Sequence, residues 1–157
     1  MPQIKSRFKI LVLFLVSYLT LLPILVVYLS YVSPVAGMVL PVLFLLFIAF
    51  FWLTIFRTRA FKVIFTESGL EARSYFGIGK GKVYGWSELD GFVTVFESGK
   101  LGISESVFIL EKGKRVASIS SFYHSNFDKL KISLNENLAD LGLAKNTFKE
   151  ANRELFK

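Results

Sequence analysis

The most constraining feature of this sequence is a run of 47 residues without a charged side chain, from Ile10 to Phe56. A helix needs about 20 predominantly apolar residues to cross the roughly 30 Å hydrocarbon core of a bilayer. A single helix made of the whole run would project far beyond the membrane, whereas two helices joined by a tight turn fit it. The run therefore predicts a transmembrane hairpin.

The break between the two helices is marked by Ser33 and Pro34, with Gly37 shortly after. Proline lacks an N–H and restricts the residue before it, so this pair is a natural helix boundary. We expect the first helix at about 8–29 and the second at about 35–56. The alternative is a cleaved signal peptide ahead of a single anchor. However, the first apolar stretch is longer than the roughly 7–15 residues of the apolar core of a signal peptide, and it ends in bulky residues rather than an Ala-x-Ala-like site.

Six basic residues flank the two expected helices, and the turn between the helices has none. They are Lys5, Arg7 and Lys9 before the first helix, and Arg57, Arg59 and Lys62 after the second. Because the cytoplasmic flanks of membrane helices are enriched in Lys and Arg, we expect both termini in the cytoplasm and these six residues as juxtamembrane anchors. The chain is thus expected to be an integral membrane protein.

The remaining chain, residues 58–157, has the composition of a soluble domain, in contrast to the hairpin of residues 1–57. All 12 acidic residues and 16 of the 19 basic residues lie from Arg57 onward. The chain has no cysteine and a single histidine, His124, which excludes a disulfide framework and a zinc site built on two histidines. We expect no cofactor.

Six segments rich in β-branched and aromatic residues, separated by turn residues, predict short strands in this domain. They occupy residues 60–66, 70–76, 82–86, 91–97, 106–111 and 115–119. The first two read as a hairpin, since the second alternates apolar and polar residues after the turn Glu67–Gly69. The domain is therefore expected to be mainly β up to residue 119.

A stripe of apolar residues spaced three or four apart follows the strands and predicts one amphipathic helix of about 16 residues. The stripe comprises Phe127, Leu130, Leu134, Leu138 and Leu141. Ser125 and Asp128 resemble a capping box at the start of this helix, and Gly142 suits its C-terminal end. The tail after Leu143 is either a short second helix or a frayed end.

Three features resemble a known family: the segment Phe65–Leu70, the segment Tyr84–Phe92 and the closing helix. In the second segment an aromatic residue, a polar pair and an aliphatic residue, Trp86 to Leu89, lead from one strand into the next. Over about 60–143 the chain resembles the pleckstrin-homology-like (PH-like) domain of bacterial proteins that carry two N-terminal transmembrane helices. The resemblance implies a small barrel or curled antiparallel sheet of six to seven strands, closed by a C-terminal amphipathic helix, at the inner face of a bacterial plasma membrane.

The same resemblance argues against a phosphoinositide site. Phosphoinositide-binding members of the superfold place a basic cluster across the first hairpin, whereas the corresponding turn here, Thr66–Gly69, is acidic. The resemblance therefore implies the fold without the inositol-phosphate site.

Two short motifs can be interpreted either as functional sites or as structural features. Ser121, His124 and Asp128 superficially resemble a hydrolase triad, but they straddle a helix start, where we expect Ser and Asp as caps and His124 as a surface or capping residue. The glycine-rich segment 77–82 matches no nucleotide fingerprint, because a strand rather than a helix follows it. It is either a mobile turn or an anionic-headgroup site that uses Arg73, Lys80 and Lys82.

Other function classes receive little support. The expected membrane spans contain no ionisable residue, whereas ion and proton pathways usually have one inside the bilayer. Much of the net positive charge belongs to the membrane flanks, so we expect no nucleic-acid partner. The absence of a catalytic constellation argues against an enzyme.

The sequence therefore predicts a non-catalytic, membrane-anchored interaction or scaffolding module. Its PH-like domain is expected to dock a protein partner, or further copies of itself, at the inner face of the membrane. The alternative is a peripheral module that senses anionic lipid through the loop containing Lys80 and Lys82.

Overall fold

The computed structural model describes residues 3–32, 39–99 and 102–143. The predicted helix break at Ser33, Pro34 and Gly37 and the tail 144–157 lie outside these residues. The chain begins with a short strand, β1 (Ile4–Lys5), followed by a 23-residue helix, α1 (Ile10–Val32). At 1.5 Å per residue, α1 is about 35 Å long.

The second apolar segment is one continuous helical stretch with a change of pitch near its end. It consists of α2 (Val39–Phe51), a π-helical turn (Trp52–Phe56) and a last short turn, α3 (Arg57–Arg59). The two segments Ile10–Val32 and Pro41–Arg59 are long and apolar enough to cross a membrane. Only 11% of the first span and 17% of the second is buried within the molecule. Neither helix is therefore the buried core helix of the domain.

The strands form two four-stranded sheets. The first sheet is antiparallel, in the order β1-β2-β3-β4, and contains β2 (Lys62–Phe65), β3 (Gly69–Arg73) and β4 (Gly81–Gly85). The second has the order β7-β6-β5-β8 and contains β5 (Gly91–Gly99), β6 (Gly102–Glu111), β7 (Lys114–Ser120) and β8 (Asp140–Leu143). In this sheet β8 runs parallel to β5, and the other pairs are antiparallel.

The mixed α+β character and the six strands between residues 60 and 120 are confirmed. The total of six to seven strands is wrong, because the described residues contain eight, and the two sheets do not close into a barrel. The two additional strands, β1 and β8, come from segments on either side of the six. With two residues in β1 and a glycine inside β8, neither segment has an alternating pattern long enough to reveal a strand.

The closing helix, α4 (Phe127–Asn137), is shorter than expected. Leu138 is already extended, and Leu141 is 51% exposed in β8 rather than part of the buried stripe. The capping-box prediction is also wrong. Asn126 is the N-cap, and the Ser125 hydroxyl donates instead to the Arg7 carbonyl, at 3.2 Å. Gly142 lies within β8 and does not end the helix.

The core lies between the two sheets and the buried face of α4. Four of the five predicted stripe residues, Phe127, Leu130, Leu134 and Leu138, are buried in it. They pack with side chains from both sheets, including Val63, Leu70, Phe92, Val107 and Ile119. The periodicity of the helix therefore identified its buried face correctly up to Leu138.

The strands run up and down, so the connections of the domain gather at two ends. The helix-proximal end, next to α1 and α3, contains the β3–β4 loop (residues 74–80), the paired ends of β5 and β6 at Gly99 and Gly102, and the turn 121–126. The helix-distal end contains the turns 66–68, 86–90 and 112–113. These two names are used below.

Candidate functional site: the junction between the helices and the domain

The chain that leaves α3 is fixed to the domain at consecutive backbone carbonyls. The Ser118 hydroxyl lies 3.4 Å from both the Thr58 and the Arg59 carbonyl oxygens. The Ala60 carbonyl accepts a hydrogen bond from the Phe76 N–H at 2.7 Å, and Ala60 is fully buried. Because a buried carbonyl needs a partner, these contacts fix where the domain sits on the end of the helix. The junction is therefore not a free linker.

His124 provides the next contact, with the Phe61 carbonyl. Its Nε2 lies 2.9 Å from that oxygen, and its Nδ1 accepts the Ser120 N–H at 3.2 Å. This pattern fits the neutral imidazole with its proton on Nε2. Burial lowers the pKa of His124, and its backbone hydrogen bonds to Phe61 and Ser120 oppose this only in part.

The expectation that His124 is a surface or capping residue is wrong, because its side chain is 1% exposed. No local sequence signal indicates this burial, since the contact partners Phe8 and Phe61 are distant from His124 in sequence. Ser121 and Asp128 do not complete a triad with it. The Ser121 hydroxyl accepts the Glu105 N–H, and both nitrogens of His124 face backbone groups.

The segment before α1 is part of the domain's hydrogen-bond network. Ser6 and Val63 exchange two hydrogen bonds of 2.8 Å, in one of which the buried Ser6 hydroxyl accepts the Val63 N–H. The Asn126 side chain accepts the Arg7 N–H and donates to the Lys5 carbonyl, both at 2.9 Å. The Lys9 N–H donates to the Tyr123 carbonyl at 2.9 Å. Residues 4–9 therefore form a strap, called the N-terminal strap below, that ties the start of α1 to the domain.

An aromatic cluster fills the space between the strap, the end of the second helix and the domain. The Phe76 ring is central, with ring centroids 5.0 Å from Phe8, 5.5 Å from Phe56 and 6.4 Å from Tyr123. The neighbouring Tyr75 stacks on Trp52 at 6.4 Å with an interplanar angle of 23°. The Trp52 indole N–H in turn donates to the Thr20 hydroxyl of α1 at 3.2 Å. The β3–β4 loop therefore contacts the same tryptophan that joins the two apolar helices.

The backbone of this loop is strained. Tyr75 and Phe76 have φ angles of +53° and +56°, which L-residues with bulky side chains rarely adopt. Gly77 follows at φ +97°, and a Cβ there would lie 2.6 Å from the Lys62 side chain. Strain of this kind persists only where the surrounding packing determines it. Here the packing is the aromatic cluster.

Tyr123 and a salt bridge complete the junction. Burial raises the pKa of Tyr123, with Arg59 lowering it and Glu97 raising it as smaller contributions. One guanidinium nitrogen of Arg59 donates to both carboxylate oxygens of Glu97, at 2.8 and 2.7 Å, and both side chains are partly buried. The pair joins the end of α3 to the β5–β6 hairpin.

The six predicted anchors have different surroundings. Lys5, Arg7, Lys9 and Arg57 are exposed around the ends of the helices. Arg59 is engaged by Glu97, and Lys62 lies in β2 against Gly77, opposite Arg73. The sequence could not distinguish these two groups, because Glu97 and Gly77 are distant in sequence.

The predicted headgroup residues lie at one end of the β3–β4 hairpin. Arg73 is opposite Gly81, which lies between Lys80 and Lys82. The Arg73 guanidinium is paired with Glu71 at 2.7 Å, and both lysines are exposed. The structure therefore brings the three near each other but commits Arg73 to a carboxylate.

An open cleft of about 560 Å³ lies beside the strap. Its walls include Lys5 and Arg7 from the strap and Asp128 and Lys129 from the first turn of α4. Lys129 joins the strap residues only through the fold, so no local sequence signal indicates this cleft. Within the ranges 3–32, 39–99 and 102–143, no group of three or more His, Asp or Glu residues is arranged to hold a metal ion.

Comparisons of this chain with protein-family models, with curated proteins and with solved structures found no match.

Proposed function

We propose that this protein is a non-catalytic interaction module, anchored in a bacterial plasma membrane by α1 and the second helix, with both termini in the cytoplasm. The exposed apolar surface of the two helices and the basic residues at their ends support the membrane anchor. The Trp52–Thr20 hydrogen bond supports a hairpin, since polar contacts between membrane helices contribute to their association.

We further propose that the domain is PH-like. Two antiparallel meanders, β2-β3-β4 and β5-β6-β7, followed by a helix that packs between them, support this assignment. The parallel strand β8 and the strand β1 from the strap are additions to that outline.

The observation that best supports a docking role is the open edge of β4. Among the described residues β4 pairs only with β3, and Val83 in its centre is 72% exposed. An unpaired strand edge can accept an extended segment of another protein as an additional strand. The edge of β7, by contrast, lies against α3 through Ser118.

The positive charge beside this edge indicates the charge of the segment that can bind to it. Lys80 and Lys82 are exposed beside Val83, so a second copy of the same edge would be repelled. We therefore infer that the partner is a different protein with an extended segment that contains acidic residues. This favours a heteromeric adaptor over a homo-oligomer.

The test is affinity purification of the full-length protein from native membranes in a mild detergent, followed by mass spectrometry. We expect a stoichiometric partner whose recovery falls by about tenfold, equivalent to about 1.4 kcal/mol, in Val83→Glu, because the added carboxylate repels the acidic segment. Ile132→Glu is the matched control, because Ile132 is 58% exposed on α4 and should leave recovery unchanged. Recovery of the protein alone, or equal recovery with both variants, would contradict the docking role.

Anionic-lipid sensing is the second candidate, using Lys80 and Lys82. The β3–β4 loop, which ends at Lys80, contacts Trp52 through Tyr75. This contact brings the two lysines near the end of the helix and so favours the lipid-sensing candidate. It predicts that Lys80→Glu with Lys82→Glu weakens binding of the protein to anionic vesicles, in a salt-dependent way.

A further inference from the structure

The two ends of the domain differ in the residues that they expose. The turns of the helix-distal end, all described, expose polar and charged residues such as Glu67, Glu88 and Asp90, and none exposes a large apolar side chain. At the helix-proximal end, Ile78 is 80% exposed and Ile103 is 78% exposed. Scattered exposed apolar residues are common on proteins. Exposed apolar residues also lie in strands elsewhere, at Val83, Leu141 and Leu143. The feature that needs an explanation is that the described turns of the helix-distal end expose no large apolar side chain, whereas the β3–β4 loop and the β5–β6 hairpin at the helix-proximal end do.

The β3–β4 loop reaches along the second helix beyond its basic flank. Tyr75 stacks on Trp52, which precedes Arg57 by five residues, or about 7 Å along a helix axis. The loop therefore lies beside the uncharged part of the second helix, on the membrane side of Arg57. Ile78, three residues after Tyr75, is exposed in the same loop.

The β5–β6 hairpin extends past the rest of its sheet on the same side. Ser106 is the last β6 residue paired with β7, opposite Ser120, and the backbone of Glu105 is hydrogen-bonded to Ser121. The segment from Gly102 to Ser104 therefore continues for about 10 Å more. Strand β7 ends beside the turn whose Tyr123 carbonyl holds Lys9 at the start of α1. The overhang therefore points toward the end of the domain where α1 begins.

Two exposed apolar residues lie on one face of the hairpin, at this overhang and at its base. Phe96 is opposite Glu105 and Ile103 is opposite Ser98, so their side chains project from the same side of the hairpin. Phe96 is 56% exposed. Nearby, Phe122 in the turn after β7 is 36% exposed. Basic residues accompany these positions: Lys9, Arg57 and Lys80 are all exposed at this end.

We propose that the helix-proximal end of the domain lies in the bilayer interface, with Ile78 and Ile103 in contact with lipid acyl chains. The inference rests on the proposed membrane anchoring. It goes further in that two hairpins of the domain contact the leaflet directly, so the two helices are not the domain's only contact with the membrane. Apolar side chains enter the headgroup region while adjacent basic residues meet anionic lipid, as at other interfacial surfaces. The strained Tyr75–Phe76 backbone holds one of these hairpins at the required depth.

The experiment uses tryptophan fluorescence of the full-length protein in phosphatidylcholine–phosphatidylglycerol vesicles whose phosphatidylcholine carries bromine on its acyl chains. The chain has two tryptophans, which serve as natural controls: Trp52 in the second helix and Trp86 at the helix-distal end. Each is observed alone, in Trp86→Phe and Trp52→Phe respectively. Ile78→Trp and Ile103→Trp are then introduced separately into the chain that carries both Phe substitutions.

We expect Trp52 to be strongly quenched, Trp86 to be unquenched, and both new tryptophans to show quenching closer to that of Trp52, with blue-shifted emission. Since both isoleucines are exposed, the substitutions leave the core intact, and thermal unfolding checks this. If both new tryptophans are unquenched while Trp52 is quenched, the proposed contact of the domain with the bilayer is wrong and the membrane anchor still stands. An unquenched Trp52 would overturn the anchor itself, and that contact with it.

Discussion

His124 shows how one residue links three parts of the chain. Its imidazole bonds to the Phe61 carbonyl after the second helix and to Ser120 at the end of β7, and its ring centroid lies 5.0 Å from that of Phe8 in the strap. Nδ1 also lies 3.3 Å from the Ser120 carbonyl oxygen, which can accept a second N–H from a protonated ring. Burial outweighs these backbone contacts and lowers the pKa of His124, so the junction favours the neutral form of this histidine.

The first prediction concerns pH. Because burial lowers the folded-state pKa of His124 below the usual value of about 6.5, the unfolded state binds more protons as the pH falls through that value. The contribution of His124 is complete above about pH 6.5 and is lost below it, by at most about 1.4 kcal/mol per pH unit. We expect the full-length protein in detergent to have a lower free energy of unfolding at about pH 5.5 than at about pH 7.5, that is, about one unit below and above the usual histidine pKa.

His124→Gln is the control for this effect, since His124 is the only histidine. The variant should be less stable at neutral pH, by about 1–3 kcal/mol for a buried group that loses its partner. It should also lose most of the pH dependence over that interval. An unchanged pH dependence in the variant would show that other groups cause it.

The second prediction concerns the left-handed backbone at Phe76. Phe76→Ala and Phe76→Gly remove the same ring from the aromatic cluster, but only glycine adopts φ +56° without strain. We expect Phe76→Gly to be more stable than Phe76→Ala by about 1 kcal/mol in equilibrium unfolding.

Ile78 provides the matched comparison, because its φ angle is −78° in the same loop. There the usual order should hold, with Ile78→Ala more stable than Ile78→Gly by about 0.5–1 kcal/mol. The same order at both positions would mean that the backbone at residue 76 is not left-handed.

At the scale of elements, the N-terminal strap is the part of the fold with the least sequence signal. Only Ile4 and Lys5 form a strand, yet hydrogen bonds from the strap reach Val63, Tyr123 and Asn126. A strand this short has no alternation to detect, and its pairing with β2 joins Ile4 with Phe65, which are 61 positions apart. The uncharged run and its basic flanks place residues 1–57 in the hairpin, whereas the strap within them hydrogen-bonds to the domain.

The third prediction tests this strap through Ser6. Ser6→Ala removes the acceptor of the buried Val63 N–H, which is then left without a partner. The expected loss is about 1–3 kcal/mol in the free energy of unfolding. Ser68→Ala, at an exposed turn of the helix-distal end, should change it by less than about 0.5 kcal/mol. A Ser6 variant as stable as the Ser68 variant would show that the strap does not hold the domain.

Local patterns predicted the elements whose signal is local. The six central strands and the buried face of α4 follow from alternation and from spacing of three and four. The predicted helix extends beyond the true end of α4 at Asn137, because Leu141 continues the helical spacing although it lies in β8, which pairs with β5. The salt bridge of Arg59 with Glu97 and the aromatic cluster around Phe76 depend on contacts between distant segments, which a single sequence does not encode in its spacing.

At the scale of the whole molecule, the helices and the domain form one connected body. Hydrogen bonds tie the strap to the domain before α1, and the carbonyls of residues 58–61 tie it after the second helix. A displacement of the helices would therefore be transmitted to the sheets, instead of being absorbed by a linker. This supports a module that presents the open edge of β4 at a fixed height above the membrane.

The central claim is that α1 and the second helix cross a membrane and leave the domain in the cytoplasm. Because the chain has no cysteine, single cysteines can be labelled without background. Tyr31→Cys, 85% exposed near the end of α1, and Ser68→Cys, at the helix-distal end, report the two sides. In intact cells a membrane-impermeant maleimide should label the first and reach the second only after lysis. Labelling of Ser68→Cys in intact cells, or of neither until lysis, would contradict the account.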